Sequence, residues 1–180
     1  MEFIMKKENL INYVIIGLLI ITAALMRVLP HPENVVPITA IALFSGAFIA
    51  RRAAAIAVSL SVMFISDLFI GLEFISVVVY FCIALTVLIG AVIKQKTSFI
   101  NVVAAVIASS MSFFIITNFT VWFFWSMYPK NIEGLLNCYI MALPFFRNSL
   151  AGDLFYTGVM FSVYKFASYR INSYMFKPQS

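Results

Sequence analysis

Residues 98–124 read SFINVVAAVIASSMSFFIITNFTVWFF, without one Asp, Glu, Lys or Arg. A helix of about 20 apolar residues crosses the hydrocarbon layer of a bilayer, so this stretch is long enough to span one. Working outward, the pattern recurs. Residues 75–93 are apolar and are followed by Lys94 and Lys96, and residues 53–72 precede them as another span. Residues 11–29 form a span that stops at Pro30. Residues 37–50 form a shorter one ahead of Arg51 and Arg52. Residues 148–167 form the last, before a polar tail with Arg170 and Lys177. The expected fold is an all-α integral membrane protein of six transmembrane helices, a single domain over residues 11–169 between tails of residues 1–10 and 170–180.

Composition agrees with that class. Of 180 residues, 63% are hydrophobic and 11% charged, against about a quarter charged in soluble domains. The mean hydropathy is +1.03. A soluble chain of this size could not bury so much apolar surface inside itself, and a disordered chain needs the opposite composition. The net charge of +5 does not point to nucleic acid, because the cations stand at the ends of apolar segments and form no stripe. The phosphate-binding pattern GxxxxGK[ST] is absent, so the chain carries no nucleotide-driven motor of this type. Lys6 and Lys7 precede the first apolar run as in a signal peptide, but no small-x-small site stands before Arg27, so the run is kept as a span.

The basic residues orient the six spans. Lys6, Lys7, Arg51, Arg52, Lys94, Lys96, Lys165, Arg170 and Lys177 fall on one side, while the loops of the other side hold only Lys130. By the positive-inside rule both termini are cytoplasmic. Between the fifth and sixth spans, Pro129 and Pro144 bound a short segment in which Ile132, Leu135, Leu136, Tyr139, Ile140 and Leu143 recur on one helical face. About 12 residues cannot cross a bilayer, so the segment is expected as a separate interfacial or re-entrant helix. Small residues at helix-packing spacing are Ala42, Gly46 and Ala50, then Ala53 and Ala57, then Ala104 and Ala108.

In this arrangement the costly polar groups gather in the outer third of the bilayer. Arg27 stands near the outer end of the first span, and Asp67 lies about 7 Å below the outer end of the third. Tyr80 and Cys82 fall in the outer half of the fourth span, Asn118 and Trp122 near the outer end of the fifth, and Arg147, Asn148 and Asp153 at the start of the sixth. Ionisable groups within spans usually face a bundle interior or a watery cavity, so a polar cavity open to the outside is expected, with salt bridges that lock helices as the simpler alternative. Asp153 has a further plain explanation, since an acid at the start of a helix is favoured by the dipole alone. His31 is the one histidine, between Pro30 and Pro32, which fix the backbone around it. Cys82 reads either as a small buried hydrophobe or as a soft metal ligand, and a disulfide to Cys138 is a third option. Tyr80 and Cys82 are two residues apart, so one regular helix does not aim both at the same point.

Several of these residues also form a familiar set. Arg27-Val28-Leu29-Pro30-His31-Pro32, then Asn34, Pro37-Ile38 and Ala42-Leu43-Phe44-Ser45-Gly46-Ala47, resemble the opening of a bacterial family of small transport proteins. That family is similar to the S components of energy-coupling-factor (ECF) transporters and includes BtuM-like cobalamin transporters. The likeness continues through Ser66-Asp67-Leu68 with Gly71, Val79-Tyr80, Thr117-Asn118-Phe119 with Val121-Trp122, Tyr128-Pro129, Ala142-Leu143-Pro144-Phe145-Phe146-Arg147-Asn148 and Gly152-Asp153-Leu154-Phe155-Tyr156.

The resemblance implies a six-helix fold in the bacterial inner membrane, with both termini inside and a substrate pocket facing out. It implies cobalamin or a related corrinoid as the transported ligand, with no permanently bound cofactor. Energy would come from a separate ECF-type ATPase and scaffold module, or the protein would work alone. Cys82 would ligate the cobalt of the corrinoid, with His31 as a possible alternative ligand, and Asp67, Tyr80 and Arg147 would hold the corrin amides or brace the pocket. The candidate substrate-binding set is thus Arg27, His31, Asp67, Tyr80, Cys82, Asn118, Trp122, Arg147 and Asn148. Two alternatives stand beside it: a transporter of another small molecule on the same fold, and a membrane enzyme acting on the axial ligand of a bound corrinoid. An intramembrane protease fits poorly, because it needs a nucleophile and a base within the membrane.

Overall fold

The computed structural model describes residues 2–29 and 34–175 and contains, among them, helices and no strand. The helices are α1 (Glu2–Val28), α2 (Ile38–Phe48), α3 (Arg52–Ile70), α4 (Ser76–Val92), α5 (Phe99–Phe124) and α6 (Ile132–Met175). Among the described residues, three stretches are long and apolar enough to cross a membrane: Leu10–Arg27, Arg52–Phe69 and Phe99–Phe124. Their outward faces carry large apolar side chains such as Leu18, Phe69, Ile100 and Phe123, as lipid contact requires. α2 and α4 are shorter, and α2 at 11 residues reaches only about 16 Å, roughly half the hydrocarbon thickness.

α2 is a core helix. Every residue from Ala40 to Ala47 is buried, and it packs against each of the other five helices. A helix apolar on all sides has no solvent face, so it is stable only when surrounded. Its small residues let neighbours come close. A Cβ on Gly46 would overlap the carbonyl oxygen of Val87, and one on Gly90 would overlap that of Leu43, so α2 and α4 touch backbone to backbone. On another side, Phe44 and Phe48 pack on α6, with ring centroids 5.6 Å (Phe44–Phe161) and 4.1 Å (Phe48–Tyr164) apart.

The small-residue faces are met in part. Ala42 and Gly46 are buried, whereas Ala50, Ala53, Ala57, Ala104 and Ala108 are exposed. In α3 and α5 the buried small residues include their neighbours Ala55, Ser59, Ala105 and Ser109.

The separate interfacial helix is corrected. Residues 132–175 form one continuous helix with Pro144 inside it. Proline removes one backbone donor, which a helix within a packed bundle tolerates. Its packing side is set by small residues. Ile132, Leu136, Ile140 and Leu143 are exposed, while Gly134 and Cys138, four residues apart, are buried. Gly134 sits against the Pro129 carbonyl. In a membrane domain the small residues face protein and the large apolar ones face lipid, which inverts the reading a water-soluble helix would receive. α6 runs antiparallel to α5: Tyr139 reaches the Ile115 carbonyl at 2.8 Å, Ser110 reaches Asp153, and Lys165 reaches the Thr97 carbonyl.

Charge is segregated by bundle end. Lys94 donates to the Ala50 carbonyl at 3.2 Å, Lys165 contacts Thr97, and Asn12 meets Ser168 at 3.2 Å. These contacts put the basic turns and the start of α1 at one end. Arg27, Asp67 and Tyr80 stand at the other.

Candidate functional site

At that second end one buried ion pair joins α1 to α3. Arg27 Nη2 donates to Asp67 Oδ1 at 2.6 Å, with both side chains under a tenth exposed. Arg27 Nη1 donates to the Met63 carbonyl at 3.2 Å and contacts Ser66 Oγ. From α4, Tyr80 donates its hydroxyl to Asp67 Oδ2 at 2.8 Å. Asp67 lies in the last turn of α3, where the dipole disfavours an acid, and the guanidinium and phenol offset this. Both carboxylate oxygens are engaged, so Arg27, Asp67 and Tyr80 tie three helices at one point. α3 then ends at Gly71, whose φ of 115° suits glycine and whose N–H returns to the Asp67 carbonyl at 2.8 Å.

Beside this knot lies a cavity of about 410 Å3. Arg27 and Met63 form the wall nearest the ion pair, and Ile38, Thr39 and Val79 come from α2 and α4. α5 contributes Ser110, Phe113, Phe114, Thr117 and Asn118, and α6 contributes Ala142, Phe145, Phe146, Ser149 and Asp153. Asn34, with φ of 62°, also lines it. The α6 residues fall at i, i+3, i+4, i+7 and i+11, one face of a helix. The α5 polar groups are partly satisfied by their own helix: Thr117 Oγ1 donates to the Phe113 carbonyl at 2.7 Å and Asn118 Nδ2 to the Phe114 carbonyl at 2.8 Å.

A second carboxylate closes the cavity. Asp153 is 5% exposed. It lies 2.6 Å from Ser110 Oγ and accepts a further hydrogen bond from the Thr39 side chain. Among the described residues, no Lys or Arg pairs with it. Because α6 begins at Ile132, Asp153 stands deep inside a helix, and the dipole explanation offered by the sequence does not apply to it.

Of the sequence-derived set, Arg27 and Asn118 line the cavity, and Asp67 and Tyr80 stand behind Arg27. Trp122 is half-buried and donates Nε1–H to the Pro129 carbonyl at 2.9 Å, with the Lys130 ammonium 5.7 Å from its ring centre. Its work is to pin the α5–α6 turn. Arg147 and Asn148 are exposed, since they fall off the α6 face that lines the cavity. Arg147 makes no ion pair or hydrogen bond with a described residue.

Cys82 is 2% exposed and does not line the cavity. It lies on the buried side of α4 with Ile83, Thr86 and Val87, so Tyr80 and Cys82 point apart as their spacing requires. His31 lies outside the described residues. Both cysteines are free, which removes the disulfide between Cys82 and Cys138. No group of three His, Cys, Asp or Glu gathers as a metal site among the described residues.

Thr39 and Ser110 were missed in sequence, while Asp153 was named there among the outer polar groups and left out of the binding set. Asp153 carried a signal, as a carboxylate within an apolar stretch. Thr39 and Ser110 carried none, because single hydroxyls are common in membrane helices.

No curated protein and no solved structure matches the chain. A family model does match, over residues 7–175, and thus from within α1 to the end of α6, including the Arg27–Asp67–Tyr80 knot and the cavity. The chain belongs to that family, described as a family of unknown function (DUF6580).

Proposed function

We propose that the protein is a membrane transport protein of the S-component type, which binds a vitamin-sized molecule in the cavity between α5 and α6. The cavity carries this reading. It joins a small number of polar groups to apolar and aromatic walls, the composition usual in small-molecule sites, and its size is at the lower end of the range of about 300–1,000 Å3 for such sites. It also lies at the end of the bundle away from the basic turns, which is the outer end if the basic side is cytoplasmic. In this reading α4 and the second half of α6 complete the membrane domain in a bacterial inner membrane, with α2 sheltered within it. Ala53 and Ala57, exposed at the basic end, offer a close-packing surface to a separate ATPase and scaffold module.

The smaller-substrate form is favoured over the corrinoid form. Thiolate ligation needs the Cys82 sulfur to meet the ligand, and Cys82 is enclosed away from the cavity. Two measurements test the reading. Thermal unfolding of the purified chain against a panel of vitamins and precursors is expected to show at least one ligand that raises the transition. Ala142→Phe, which fills the cavity, is expected to abolish that rise. A panel without effect, or a rise that survives Ala142→Phe, overturns the reading. A corrinoid absorbance change that is lost in Cys82→Ala would restore the corrinoid form.

A further inference from the structure

Resting on the cavity as a substrate site, we infer that its substrate is a small organic cation, a protonated amine or quaternary ammonium. Its charge sits against Asp153 and its carbon frame among the phenylalanines. The charge inventory leads there. Among the described residues, Arg27 and Asp153 are the charged ones in the wall. Arg27 is cancelled by Asp67 at 2.6 Å and has further acceptors in Met63 and Ser66. Among the described residues Asp153 has only hydroxyl partners, which hydrogen-bond a carboxylate without neutralising it. An ionised carboxylate has about four lone-pair sites, and Ser110 and Thr39 reach two at most. Ser110 Oγ also lies 2.9 Å from the Val106 carbonyl, and its single proton serves one acceptor at a time.

A carboxylate so buried is costly until a counter-charge arrives. The missing charge comes with the ligand. The space beside Asp153 is far larger than a bare inorganic ion needs, and its walls include Phe113, Phe114, Phe145 and Phe146. The faces of aromatic rings attract cations, so the walls and the carboxylate select the same sign of charge. An anionic substrate would meet both as repulsion.

The test uses the full chain in lipid nanodiscs and three probes with a common aromatic body: 2-phenylethylammonium, 2-phenylethanol and 3-phenylpropionate. Isothermal titration at neutral pH is expected to give the ammonium at least about tenfold tighter binding than the alcohol, with the carboxylate weakest. In Asp153→Asn the ammonium and the alcohol are expected to bind within about twofold of each other, and Asp153→Glu is expected to keep the preference. The wild-type ranking needs no variant, so a folding defect cannot decide it. Alcohol or carboxylate binding as tightly as the ammonium, or a preference that persists in Asp153→Asn, overturns the charge assignment and leaves the cavity as a substrate site. Absence of binding by all three probes overturns both.

Discussion

Asp67 and Asp153 are both almost wholly buried, and both accept hydrogen bonds from a neighbouring helix, but among the described residues only Asp67 has a cation at its side. The difference separates a charge that holds the bundle together from a charge held in reserve. The Arg27–Asp67 pair is complete without a ligand, with each oxygen of the carboxylate engaged. The Asp153 site has hydroxyls beside it but no cation among the described residues, and it faces the cavity. A buried pair is costly to break because the survivor is left charged. A buried single charge is already uncompensated, so removing it relieves a cost.

The largest expected effect therefore comes from breaking the pair. Asp67→Asn strands the Arg27 guanidinium and is expected to cost about 3–5 kcal/mol, read as a lowered thermal transition in detergent. Combining it with Arg27→Met is expected to cost less than the sum of the two single changes, because neither charge is then left alone. Next comes the backbone contact that sets α2 between the two carboxylates. Gly46→Ala drives a Cβ into the Val87 carbonyl and is expected to cost about 1–3 kcal/mol, with ligand-induced stabilisation also reduced because Thr39 rides on the same helix.

A smaller loss is expected from Tyr80→Phe, which removes one hydrogen bond to Asp67 and leaves the ion pair. It should cost about 0.5–1.5 kcal/mol, with probe binding within twofold of wild type by titration. The smallest change in stability is expected from Asp153→Asn, within about 0.5 kcal/mol of wild type or above it, even though this variant loses the preference for cations. A large loss of stability in Asp153→Asn, or an unchanged transition in Asp67→Asn, would erase the distinction between the two acids.

The membrane class and the segregation of polar groups to one end were legible in the sequence because they depend on composition and on the placement of Lys and Arg. Arg27, Asp67 and Tyr80 were legible as a group for the same reason, though not as a closed knot. What could not be read was rotation about each helix axis. Arg147, Asn148 and Asp153 lie within two turns of α6, yet only Asp153 faces the cavity. Helix phase in a membrane domain is poorly marked by hydrophobicity, since lipid and protein are both apolar neighbours. The break expected at Pro144 had the further consequence of placing Asp153 at a helix start and giving it a dipole. Cys82 was singled out by its chemistry, but it is buried about one turn below Val79 and takes no part in the cavity wall.

The enclosure of α2 bears on how the chain is made. An 11-residue helix has neither the length to insert by itself nor an outward side to offer lipid. Its aromatic partners, Phe161 and Tyr164, belong to α6, which is synthesised after the other five helices. During biogenesis α2 must therefore wait, beside the machinery that delivers it or between its first neighbours, until α6 emerges. A nascent chain stopped after α5 would lack the final wall around Phe44, which makes the arrival of α6, rather than insertion of any early segment, the step that encloses α2.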